Sequence, residues 1–207
     1  MIAFFKGKLR ISVFVPILVA VISLSSDAQF FYVAMLSALM HETAHLVTMK
    51  MCGARFLRIS LYPFGADIGA DTSRLSYKSE IVVFLSGPLM NFVLALLSLL
   101  FYFSFKGMLV LAFCISNIIF FFVNILPVRG LDGARVLFCL LCECFDSDRA
   151  GKIYDAVTTI FFGVLCALAL LLLFLSEYNL SLVFICCYLF ISEYIRIKIS
   201  ENNLLLV

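Results

Sequence analysis

The chain has 207 residues, 64% of them hydrophobic and 14% charged, with a mean hydropathy of +1.15 and 23 phenylalanines. An ordinary soluble domain carries about 25% charged residues, so this composition excludes a water-soluble core and reads as a polytopic membrane protein. A net charge of +2 gives no reason to expect nucleic acid as a partner; the lipid bilayer is the solvent.

In chain order, Lys6, Lys8 and Arg10 precede an apolar run from Ile11 to Leu24, the first expected span. Small residues at Ser26 and Ala28 would suit cleavage of that run, but we expect it to be retained. The second span covers about residues 28 to 51 and carries His41-Glu42-Thr43-Ala44-His45 in its inward half. Period-two alternation over Arg58-Ile59-Ser60-Leu61, ended by Tyr62-Pro63-Phe64-Gly65, predicts a small hairpin with its second strand near Ala66 to Ala70. Spans three (81 to 103) and four (108 to 126) contain breakers at Gly87-Pro88 and Asn124-Pro127. Membranes tolerate these only where protein or a water cavity satisfies the freed backbone.

A short helix is expected from Ala134 to Phe145, then spans five (153 to 175) and six (180 to 197). The expectation is therefore an all-α membrane protein with six transmembrane helices and a hairpin between helices two and three. It forms one domain over residues 1 to 207, its catalytic core at about 28 to 145. If the spans alternate from an inside N-terminus, Lys106 alone among the 15 basic residues falls outside, which leaves both termini in the cytoplasm.

Chemistry concentrates at the only two histidines. Imidazoles four residues apart lie one above the other on a helix and can share a metal ion, with Glu42 near enough to act on water as a general base. Ionisable groups at bilayer depth cost about 2.5 to 3.5 kcal/mol each, so three within five residues call for a function. A catalytic zinc ordinarily takes three protein ligands. Asp132, between Gly130 and Gly133 after a broken span, is the best third candidate; Glu143 and Glu193 are rivals, and Asp132 could instead merely cap the next helix. Cys139, Cys142 and Cys144 are close enough to bind metal but have no paired CxxC elsewhere.

His41-Glu42-Thr43-Ala44-His45, Gly87-Pro88-Leu89-Met90-Asn91, and Asn124-Ile125-Leu126-Pro127 followed by Leu131-Asp132-Gly133 resemble, in order, the three signatures of the site-2 proteases. These are the M50 zinc intramembrane metalloproteases, and the small size with no PDZ insertion is most like the stage IV sporulation protein FB type; a CBS domain of the kind some members carry is not expected. The resemblance covers about residues 40 to 135. It implies one zinc per chain held by His41, His45 and Asp132, with Glu42 as general base and Asn124 contributing to the active site. It also implies cleavage of a peptide bond in or near the transmembrane segment of a membrane protein, such as a pro-sigma or anti-sigma factor, in a bacterial cell membrane. An inhibitory membrane partner or self-association would be compatible with it. Ala44 and Ala134 stand where the family frequently has glycine, without removing a ligand.

Other classes stay open at this point. A non-cleaving membrane adaptor of the same fold would be expected to have lost Glu42. A prenyl-protein peptidase would use a glutamate ligand in place of Asp132. A transporter would need polar groups continuing across the membrane, which spans one, three and four lack.

Overall fold

The computed structural model describes residues 2–4, 9–11, 28–62, 65–71 and 75–175, and side chains within 28–54 and 75–171. Helices dominate: α1 (Ala28–Met51), α2 (Tyr77–Phe105), α3 (Met108–Ile125), α4 (Asp132–Cys144) and α5 (Ser147–Leu175). Four of the five, all but α4, are long and apolar enough to cross a membrane. This is an integral membrane protein. The expected spans at 11 to 24 and 180 to 197, and Glu193, lie outside the described residues.

The chain divides into two compact units, Met1–Asn124 and Ile125–Val207. In the first, α1 packs against α2. One stripe of α1, made of Ser37, His41, Ala44, His45 and Met49, is buried, with the spacing a helix needs to keep one side inward. Its counterpart on α2 consists of Val83, Gly87, Asn91, Ala95 and Ser98, also buried. Small residues at these positions let helix backbones approach closely, which is how membrane helices associate without a hydrophobic driving force between them.

The helix ends follow from local chemistry. Helix α1 stops at Gly53, whose φ of 81° suits glycine, with the Ala54 N–H closing onto the Met49 carbonyl at 3.0 Å. Ser76 caps α2 by accepting from the Ser79 N–H at 3.3 Å. At its far end Lys106 takes a left-handed turn (φ 47°) and only Gly107 separates it from α3, so α2 and α3 form a tight helical hairpin.

Two expectations are corrected here. Helix α2 is not broken at Gly87-Pro88 but runs through Pro88, and it starts at Tyr77, ahead of the expected 81. Helix α5 begins at Ser147, not 153, because the charged residues 148 to 152 form its polar first turns instead of a separate loop.

Four strands pair in the order β1 (Ile2–Phe4), β2 (Leu9–Ile11), β3 (Arg55–Tyr62), β4 (Gly65–Asp71). β3 pairs antiparallel with β4 (Ile59 opposite Ile68) and parallel with β2 (Ile59 opposite Leu9). The alternating segment around Ile59 therefore has neighbours on both sides, and β4 is at an edge.

In the second unit, Gly130 (φ 94°) turns the chain into α4. A Cβ on Gly133 would overlap the Ile125 carbonyl oxygen and lie 2.7 Å from that of Leu126, so this helix start seats directly on backbone. Arg129 ties the preceding loop to α5: Nε donates to Thr158 Oγ1 at 3.0 Å, the guanidinium pairs with Asp155, and it lies 5.7 Å from the Tyr154 ring centroid.

Candidate metal centre

His41 and His45 are 6% and 5% exposed, so neither imidazole is a surface group. Their rings meet edge to face, centroids 4.7 Å apart, and their Nε2 atoms are 3.1 Å from each other. The Nδ1 atoms point the other way and are both engaged. His45 Nδ1–H donates to the Val83 carbonyl at 2.8 Å, with Ser86 Oγ nearby at 3.4 Å. His41 Nδ1 is 2.5 Å from Asn91 Oδ1.

A carbonyl oxygen can only accept, so each Nδ1 carries the hydrogen and each Nε2 presents its lone pair inward. Two lone pairs facing one another at 3.1 Å repel unless a cation lies between them. Nitrogens about 2.0 to 2.1 Å from one tetrahedral zinc are about 3.3 to 3.4 Å apart, so the pair fits that ion with little adjustment.

Gly87 makes this possible from α2. A Cβ there would come 2.7 Å from His41 Cε1 and would overlap His45 Nε2. The glycine of the Gly87-Pro88 pair is thus a space for imidazoles and not a helix break. Glu42, between the histidines in sequence, is half-buried.

The remaining expected site residues are placed as follows. Asp132 is the first residue of α4; the cap position belongs to Leu131, so Asp132 sits inside the first turn, where the positive end of the helix dipole favours a carboxylate. Asn124 Nδ2 donates to the Phe120 carbonyl of its own helix at 3.0 Å. The rival Glu143 is exposed near the far end of α4. On the same helix Cys139 is buried, Cys142 half-buried and Cys144 exposed.

Behind His41 the structure shows Asn91, the last residue of the third-span signature, joined to Asn117 and Ser37, which the sequence did not single out. Asn91 Nδ2 donates to Asn117 Oδ1 at 2.8 Å and to the Ser37 carbonyl at 3.3 Å. Asn117 Nδ2 in turn donates to Ser37 Oγ at 3.0 Å and to the Phe113 carbonyl at 2.8 Å. All three side chains are fully buried. The only signal for Asn117 was an amide in an apolar span, which is equally a mark of ordinary interhelical glue.

Residues 29–110 match the family model described as Peptidase family M50. The chain is 26% identical over 154 residues to stage IV sporulation protein FB of Bacillus subtilis, covering 70% of the chain and 52% of that protein. It is 24% identical over 188 residues to a zinc metalloprotease of Methanocaldococcus jannaschii, covering 86% and 53%. It thus spans about half the length of both relatives. The solved site-2 protease from Methanocaldococcus jannaschii has the same fold, with a TM-score of 0.65, 22% identity and 92% of each chain covered.

Proposed function

We propose that this chain is a zinc intramembrane metalloendopeptidase that cleaves a peptide bond in or near the transmembrane segment of a membrane protein. The observation that carries the reading is the pair of buried imidazoles whose Nδ1 atoms are held by Val83 and Asn91 and whose Nε2 atoms converge at 3.1 Å. The HExxH pattern and the M50 match support it.

His41, His45 and Asp132 would hold the ion, a nitrogen and carboxylate donor set suited to catalytic zinc. When bound, zinc supplies Lewis acidity for water activation and carbonyl polarisation. Glu42 takes the proton from the attacking water and returns it to the nitrogen of the departing amine. Asn124 contributes a carboxamide to substrate or to the developing oxyanion. A helical substrate hides its carbonyls in backbone hydrogen bonds, so it must unwind locally, and the β4 edge offers a strand for the unwound segment to pair with.

The full arrangement in this reading has six spans, adding the apolar runs at 11 to 24 and 180 to 197, with the β3–β4 hairpin between the second and third and both termini in the cytoplasm. Residues 28 to 145 carry the machinery of one catalytic domain. Its partners are the bilayer and a membrane-tethered substrate; a bacterial regulator of transcription fits the relationship to the sporulation protein.

The test is zinc content and cleavage of a co-expressed, tagged single-span membrane protein, for native chain, Glu42→Gln and Asp132→Ala. Native and Glu42→Gln should each hold about one zinc while only native cleaves. Asp132→Ala should lose the metal. Zinc retained in Asp132→Ala would remove that ligand assignment, and a native chain without zinc would remove the enzyme reading.

A further inference from the structure

We infer that Asn117, on α3, is a positioning residue for the metal centre: through Asn91 it fixes which nitrogen of His41 carries hydrogen. The inference deepens the zinc protease reading and rests on it for its catalytic meaning.

The argument is one of direction. The Val33, Ser37 and Phe113 carbonyls that bound the network can only accept. Ser37 Oγ donates to the Val33 carbonyl at 3.2 Å, so towards Asn117 it is an acceptor. Asn117 then spends both amide hydrogens, one on Ser37 Oγ and one on the Phe113 carbonyl. Its Oδ1 is left to accept from Asn91, whose second hydrogen goes to the Ser37 carbonyl. Asn91 Oδ1 must therefore face His41, and His41 Nδ1 must donate to it.

Reversing either amide would set two acceptors or two donors against each other, so the network admits one assignment. An Asn can otherwise present oxygen or nitrogen with nearly the same shape. Asn117 Oδ1 and the Ser37 carbonyl remove the ambiguity together, and the shorter of the two bonds, 2.8 Å against 3.3 Å, is the one to Asn117. His45 is locked differently, by the Val83 carbonyl, and is independent of this chain of bonds.

The chain holds only two histidines, so its imidazole nitrogen signals come from this site alone. Full-length protein labelled with ¹⁵N-histidine is purified metal-free in detergent and observed by NMR at pH about 9, above the ordinary imidazole range. Both histidines in the native chain should be Nδ1–H tautomers. In Asn117→Leu, His41 should become a mixture while His45 keeps its tautomer. Zinc affinity, by chelator competition, should fall about ten- to a hundredfold. Ser98→Ala, which removes a buried hydroxyl bonded only to carbonyls of its own helix, should change neither.

Native His41 with hydrogen on Nε2, or Asn117→Leu with both tautomers and zinc affinity native, would overturn the inference. If Asn117→Leu does not fold, the native tautomers decide it, with Asn91→Leu as the second variant expected to shift His41 alone. Failure of the native chain to take up zinc would sink the protease reading instead, leaving the tautomers of the metal-free protein as a separate result.

Discussion

At Gly87 one added carbon reaches both histidine rings, which gives the smallest residue in α2 the strictest requirement in the site. Gly87→Ala should therefore lower zinc affinity at least tenfold, read by chelator competition, with helix content by circular dichroism retained because alanine is the better helix former. Glu42→Gln should behave oppositely: native zinc content, with cleavage reduced by a factor of at least about a hundred, since the amide cannot relay a proton. That His41 and His45 share one buried face was legible in the sequence, because helical periodicity alone puts them there. Asp132 was legible as a candidate from its glycine neighbours, but not its place inside the first turn of α4. The work of Asn91 and Asn117 was not legible, because it depends on which way two amides point across three helices, and no local pattern encodes that.

Among elements, the loop entering α4 is held at both of its ends. Gly133 seats the helix start on the Ile125 and Leu126 carbonyls, and Arg129 bonds to buried Thr158. Gly133→Ala should cost about 1 to 3 kcal/mol through overpacking against backbone that cannot move aside. Because Asp132 is adjacent, the same variant should release zinc more readily, a loss measurable by metal analysis after dialysis. For Arg129→Leu, the hydrogen bond to Thr158 dominates at about 1 kcal/mol. The pair with Asp155, whose side chain is 65% exposed, adds little. The borders of α1 and α3 could be read closely from hydropathy alone. Those of α2 and α5 could not: polar first turns read as loop, and Gly87-Pro88 read as a break where the helix in fact makes room for its neighbour.

For the molecule as a whole, charge and metal give two further measurements. Lys106, between α2 and α3, is the basic residue expected on the outer side, so a reporter active only outside the cytoplasm should work when inserted after it and fail when fused to either terminus. Chelation should lower thermal stability if zinc binds the folded chain alone; at a free zinc concentration of about one hundred times Kd the contribution is about 2.7 kcal/mol. The four long apolar helices among the described residues were readable because a bilayer imposes their length, whereas the pairing of Leu9–Ile11 with β3 was not, since those residues read equally well as a basic tail leading into a span.

The two-residue turn at Lys106 and Gly107 also constrains biogenesis. Asn91 entering lipid on a solitary α2 would bring an amide that hydrocarbon cannot solvate, and one of its acceptors, Asn117 Oδ1 at 2.8 Å, lies on the helix synthesised next. With so little slack between them, entry of α2 and α3 into the bilayer as one hairpin would bring that acceptor with it.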